Sequence, residues 1–533
     1  MLAAVLVSLP VLVIAAYIFV PSGDVWAHLA QTVLPRYVGN TLLLLLGVGV
    51  GVLVIGVGTA WLVTMCRFPG RRIFEWALLL PFAVPAYVLA YTYTGLFDFA
   101  GPFQSWLRAM FDWGRGDYWF PEIRSLGGAI AMMSLVLYPY VYLLSRAAFL
   151  EQSVCVLEVS RTLGRGPWKS FATVALPLAR PGIIAGLSFA LIETLNDFGT
   201  VDYFAVDTFT TGIYRTWFGL GEPAAAAQLA SVLLILVFSL ILLERWSRGD
   251  GRVHHTTQRY RNLPGYRLQG WRGWGALLAC SVTVFLGFLL PGAALLVWAL
   301  ETATLNASLF KYALNSFFLA AVTAVLAVTV AILMTYGMRL RPSAPMRAAL
   351  RVAGMGYAVP GAVIAVGILL VSTQIDNGID GWMRSVFGVS TGLIFTGTVA
   401  GMVFAYLVRF LAISLNSVEA SLAKVTSNMD NAARTLGLRP LAMLRRVHAP
   451  LMWGSLLTAG MLVFVDVMKE LPATIIMRPF NFDTLAIRAY QMASDEQLTE
   501  AAAPALAIVV VGILPVILLS VAISRSRPGH ADE

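Results

Sequence analysis

The chain has 533 residues, of which 59% are hydrophobic and only 12% are charged. Soluble domains carry about 25% charged residues, so this composition excludes an ordinary soluble fold and predicts an all-α polytopic membrane protein. The formal net charge of +9 follows from where the basic residues lie and calls for no nucleic acid.

An apolar helix of roughly 20 residues crosses a bilayer. In chain order the sequence predicts twelve such helices, near 2–20, 41–64, 73–96, 127–148, 181–199, 226–244, 274–300, 313–337, 350–372, 391–413, 453–469 and 500–523. The first could pass for a secretory signal, but no basic residue precedes its apolar run. Leu9-Pro10 also matches Leu290-Pro291 in the seventh segment. It is therefore read as a retained helix. With the N-terminus placed in the cytoplasm, the inside segments hold 27 of the 37 Lys and Arg residues. That bias selects a multi-pass topology with both termini cytoplasmic. Cys66, Cys155 and Cys280 show no metal-ligand spacing and predict no disulfide framework.

The chain repeats itself. Arg161-Thr162-Leu163-Gly164 returns 273 positions on as Arg434-Thr435-Leu436-Gly437, with Pro167 and Pro177 returning as Pro440 and Pro450. Tyr37, Asn40 and Pro85 match Tyr312, Asn315 and Pro360 at an offset of 275, and Tyr138 matches Tyr406 at 268. Glu193, Asp197 and Arg215 match Asp466, Glu470 and Arg488, again at 273. The expected organisation is a first half over 1–244, a basic linker over 245–272 and a second half over 273–533. Six spans per half return the chain to its starting side, so the halves are parallel repeats with a central path between them.

The repeated loops have a legible local structure. Gly164 and Gly437 suit the positive φ that ends a helix, and Pro167 and Pro440 suit the first turn of the next. Trp168, Phe171 and Val174 recur as Leu441, Leu444 and Val447. Spacing of three aligns them along one side. Each loop is thus predicted as a helix–Gly–helix element with a small apolar face, to be covered by a partner or by the membrane domain itself.

These loops resemble the "EAA" loops of permease subunits in binding-protein-dependent ATP-driven importers, of pattern E-A-A-x3-G-x9-I-x-L-P. The first keeps Glu158 but has Val159-Ser160; the second has Asn431 but keeps Ala432-Ala433. The resemblance implies that Glu158, Arg161, Gly164, Pro167, Trp168, Phe171, Val174 and Pro177 form one ATPase-coupling element. It implies a second from Asn431, Ala432, Ala433, Arg434, Gly437, Pro440, Leu441, Leu444, Val447 and Pro450. It also implies two copies of a cytoplasmic ATPase subunit, an external solute-binding protein and a bacterial inner-membrane location. This chain has no nucleotide site to predict: in Gly166-Pro167-Trp168-Lys169-Ser170, Trp168 stands where a phosphate loop needs glycine. ATP is expected on the partner subunit.

Glu193 with Asp197, and Asp466 with Glu470, fall near the outer ends of the fifth spans, with Lys469 beside the second pair. Residues four apart share a helical face, and acids at membrane depth turn to a bundle interior or a water cavity. They are read either as ion-paired or wetted span ends, or as a gate or path lining for a cation. Fe3+ is a hard cation that favours carboxylate and phenolate oxygen, which would make these acids and Tyr203 way-stations. The stretches 193–203 and 466–474, with 478–484, resemble the ferric-iron branch of this permease family, whose members are also single fused chains. Fused thiamine permeases share the architecture. The resemblance implies transport of Fe3+ and docking of the external binding protein on regions 198–224 and 471–498; aromatic residues there suit a membrane edge equally.

Two other function classes remain to be weighed. An ion-coupled secondary transporter would use the same spans and treat the paired loops as mere connectors. An intramembrane enzyme would need a constellation that His28, His254, His255, His448 and His530 do not offer by spacing.

Overall fold

The computed structural model describes residues 2–20, 23–150, 162, 166–248, 266–302 and 307–525. They are almost wholly helical; Cys66–Arg67 and Tyr266–Arg267, paired in parallel, form the only sheet among them. The main helices in chain order are α1 (Leu2–Tyr17), α2 (Leu34–Met65), α3 (Arg71–Ala77), α4 (Ala86–Phe97), α5 (Leu126–Leu150), α6 (Leu176–Asn196), α7 (Gly199–Tyr203) and α8 (Leu290–Thr302). They continue with α9 (Ala307–Leu340), α10 (Ala344–Ala353), α11 (Gly361–Phe387), α12 (Val399–Leu422), α13 (Ser427–Thr435), α14 (Pro440–Met443), α15 (Ala449–Met468), α16 (Pro472–Met477) and α17 (Leu498–Arg525).

Ten helical segments among the described residues are long and apolar enough to cross a bilayer. The two remaining predicted spans differ from straight crossings. The third is a bent pair, Arg71–Ala83 with Ala86–Phe111, turned through 90°. The first, α1, has 16 residues, short of a full crossing.

The bend has a local cause that recurs. Proline has no N–H and pushes the residue before it out of the α region. Val84 (ψ 120°) and Val359 (ψ 127°) are extended accordingly. Pro85 and Pro360 then cap α4 and α11, each after a short 3-10 turn. The matched asparagines repeat a bond too: Asn40 Nδ2 donates to the Asp207 carbonyl at 2.9 Å, and Asn315 Nδ2 to the Asp483 carbonyl at 3.0 Å.

The chain packs as two units that interleave along the sequence. One comprises 29–211, 235–304 and 489–533. Its centre is the bundle of α2, α5 and α6, with α8 against α17. A Cβ on Gly56 or on Gly186 would lie 2.7 Å from atoms of Val141. Glycine at both places lets three backbones approach one point, as small residues do between membrane helices. Buried tyrosines tie down polar backbone: Tyr138 donates to the Leu78 carbonyl (2.7 Å) and Tyr91 to that of Ala501 (3.4 Å).

The other unit comprises 1–28, 212–234 and 305–488. Here α9, α12 and α15 pack together, and α1 lies on α11. A Cβ on Gly367 would stand 2.5 Å from the Pro10 carbonyl oxygen. Ser231 Oγ donates to the Ile14 carbonyl and Gln228 Nε2 to that of Val20, each at 2.6 Å. The first helix therefore belongs by packing to the unit that holds most of the second repeat.

Candidate functional site

The second repeated loop is fully described. Helix α13 ends at Gly437, whose φ is +77°. Gly437 N–H donates to the Arg434 carbonyl (2.9 Å), and Leu438 N–H to that of Ala433 (3.1 Å). This is the Schellman arrangement, in which a left-handed residue folds the chain back onto the last turn. Its usual hydrophobic contact is present, because Leu438 packs on a small core of Tyr336, Ala433 and Met443. Pro440 opens α14 at its first position.

The apolar stripe splits. Leu444 and Val447 pack inward on that same core, whereas Leu441 is 59% exposed and Leu436 is 81% exposed. The expectation of one α-helix carrying the whole stripe is corrected here, since residues Leu444–His448 form a π turn that joins α14 to α15. Wider turns alter the angular spacing of side chains, so a three-residue period no longer keeps one face. The protein covers part of the face itself and leaves Leu436 and Leu441 outward. Asn431, Ala432, Arg434, Pro440 and Pro450 are exposed.

Spacing alone did not show what holds this loop. Asp430, one residue before Asn431, is buried and joins three elements. Its Oδ2 accepts from Arg339 Nε at the end of α9, and its Oδ1 pairs with His448 Nε2, both at 2.8 Å. Burial alone would push the Asp430 carboxyl up; the hydrogen bonds from Arg339 and His448 outweigh it and hold it below the usual carboxylate range. An ionised carboxylate only accepts, so His448 Nε2 carries the proton and donates. Tyr336 donates its hydroxyl to the Pro440 carbonyl at 2.7 Å, and its ring meets that of His448 at 5.4 Å.

In the first repeated loop, Glu158, Arg161 and Gly164 lie outside the described residues. Pro167 and Trp168 are on a helical turn, Pro167–Ser170. Residues Phe171–Ala175 form a π turn at the position that matches Leu444–His448. Phe171 packs on Trp61 (ring centroids 4.6 Å apart) and Phe149 (6.5 Å). Val174 is half-buried and Pro177 exposed.

The acids at the ends of the fifth spans have local work. Asp197 lies just past α6 and caps α7: its carboxylate accepts from Thr200 N (2.9 Å), Thr200 Oγ1 (3.0 Å) and Val201 N (3.3 Å). At the matching position, Glu470 caps α16 by accepting from Ala473 N at 2.9 Å. Its other oxygen takes a hydrogen bond from Arg409 at 2.6 Å in a pair almost wholly enclosed. A Cβ on Gly361 would stand 2.6 Å from Arg409 Nη1 and 2.8 Å from Glu470 Oε1. Asp466 pairs with Lys469 at 2.8 Å, and Glu193 is half-buried. The Tyr203 ring lies 5.1 Å from the Arg124 guanidinium, which also pairs with Glu496 at 3.1 Å. Among the described residues, no group of three or more His, Cys, Asp or Glu side chains is placed to hold a metal ion.

The sequence matches the family described as "Binding-protein-dependent transport system inner membrane component" over residues 52–247. It is similar to the Fe(3+)-transport system permease protein FbpB 2 of Haemophilus influenzae, 25% identical over 97% of this chain and 96% of that protein. A shorter stretch resembles the sulfate transport system permease protein CysT of Escherichia coli, 33% identical over 37% of this chain and 71% of CysT. The molybdenum transport system permease protein ModB of Escherichia coli is 29% identical over 36% of this chain and 83% of ModB. About a third of this chain thus spans most of each of these two permeases. Apolar helices in number, a duplicated loop and these likenesses agree: the chain belongs to the family of binding-protein-dependent transport system inner membrane components and is a multi-pass membrane permease.

Proposed function

We propose that this chain is the fused permease of an ATP-driven ferric-iron importer of the bacterial inner membrane. Its N- and C-termini are cytoplasmic. Two copies of a cytoplasmic ATPase subunit dock on the loops that contain Gly164 and Gly437. ATP closes the two ATPases, the loops move with them, and the halves rock between outward and inward access. An external binding protein delivers the cargo. The observation that carries the iron assignment is the end-to-end likeness to an Fe(3+)-transport permease. The molybdenum and sulfate permeases match only a third or so of the chain.

The geometry supports a passage rather than a fixed iron site. Asp197 and Glu470 are engaged in capping and ion pairing, so they shape the span ends and leave the cargo to be chosen mainly by the binding protein. The test is uptake into proteoliposomes containing this chain, its ATPase and the external binding protein. Ferric iron is expected to accumulate with ATP inside the cytoplasmic face compartment, and molybdate, sulfate and thiamine are not. Accumulation of one of those three in place of iron overturns the cargo. Gradient-driven uptake by the chain alone, without ATP, overturns the importer reading.

A further inference from the structure

We propose that Asp430 is the positioning residue that transmits movement of the second coupling loop to the spanning helices, by clamping α13 to the end of α9 and the start of α15 at once. The inference rests on the coupling role proposed above and goes on to name how that loop is joined to the spans.

A carboxylate on α13 is held from two sides, by Arg339 and His448. The same guanidinium donates from Nη1 to the Leu422 carbonyl (2.8 Å) and from Nη2 to that of Val425 (2.7 Å). These carbonyls belong to the end of α12 and the turn after it, where the Leu422 carbonyl also accepts from Val425 N–H at 3.2 Å. Three long helices, α9, α12 and α15, therefore meet at one guanidinium–carboxylate–imidazole chain. The loop is also fixed beyond Gly437, through the Tyr336 hydroxyl and the Pro440 carbonyl. Apolar contact alone would let the loop slide. Charge-assisted hydrogen bonds of defined direction in a buried setting fix its register, so a push on Leu436 or Leu441 moves the ends of α9 and α15 with it.

The first repeat does not carry the same residues at the matching positions. At the offset of 275, Trp61 and Thr64 stand where Tyr336 and Arg339 do, and at 273, Leu157 and Ala175 stand for Asp430 and His448. In the described part of its loop, Phe171 packs against Trp61. The residues of the clamp therefore occur in the second repeat and are not matched at the corresponding positions of the first.

The test uses the whole complex, this chain with its ATPase and the external binding protein in proteoliposomes, with Asp430→Asn, Asp430→Glu and Tyr336→Phe. Asp430→Asn is expected to keep ATPase copurification and basal hydrolysis. It should lose stimulation by the loaded binding protein, and uptake per ATP hydrolysed should fall about tenfold or more. Asp430→Glu restores part of both, and Tyr336→Phe, which removes one hydroxyl, lowers uptake per ATP by a smaller factor. If Asp430→Asn does not fold, Tyr336→Phe decides: unchanged uptake per ATP overturns the clamp, reduced uptake supports it. Normal stimulation in both variants refutes the clamp and leaves the coupling loops standing, provided Gly164→Val with Gly437→Val still releases the ATPase. Retention of the ATPase by that double variant refutes the loops themselves, and the clamp with them.

Discussion

Replacing Gly164 and Gly437 together by valine should strip the ATPase from the complex and bring uptake to background. The physical cause is direct at Gly437. Its φ of +77° lies where an L-residue suffers a clash between Cβ and carbonyl, worth about 1–2 kcal/mol and more for a β-branched side chain. Valine there opens the Schellman turn. Leu438 then leaves the core of Tyr336, Ala433 and Met443, and α14 no longer follows α13 at the angle that presents Leu436 and Leu441. Gly164 is expected to act alike because it occupies the same place in the repeat. Each single variant should lose less than the pair, since the other loop is left intact. Copurification of the tagged ATPase and ATP-driven uptake measure the effect. Unchanged assembly and uptake in the double variant would sink the coupling assignment.

Glu470→Gln should destabilise the protein by about 3–5 kcal/mol, the usual cost of stranding one member of a buried ion pair. The side chain keeps an oxygen able to accept from Ala473 N, so the cap of α16 survives and the loss isolates the charge. Arg409 then loses the carboxylate it holds at 2.6 Å. Adding Arg409→Met should recover the larger part of the loss, because the buried guanidinium charge is removed together with its carboxylate. Thermal unfolding in detergent micelles, followed by tryptophan fluorescence, checks both statements. Uptake per folded molecule separates structure from passage. A structural pair predicts that uptake falls only with the folded fraction. A loss of uptake at full stability would instead make Glu470 a contact of the moving cargo.

Much of the loop was legible because its devices are local. The positive φ at Gly437 and the helix start at Pro440 follow from what glycine and proline can do within a few residues. The apolar stripe was legible in composition but not in direction, because the π turn at Leu444–His448 was not signalled by spacing. Leu444 and Val447 went inward and Leu441 outward as a result. Asp430 passed unnoticed because its meaning lies in its partners. Arg339 is 91 positions away and His448 is 18 positions away. The acid pairs show the same limit: four-residue spacing put Glu193 and Asp197 on one face, yet Asp197 falls beyond the helix end and caps α7.

By itself the sequence determined the membrane class, its own internal repetition and the glycine–proline skeleton of the second loop. Apolar length, periodic identity and backbone permissiveness are properties of the chain and need no fold to be read. Only the tertiary structure decided which acids are paired, which side of a loop stays exposed and which unit each helix joins. Those outcomes are set by competition among distant groups for burial and hydrogen bonds. Glu470 finds Arg409 across 61 residues, and α1 lies on α11 rather than with its sequence neighbours.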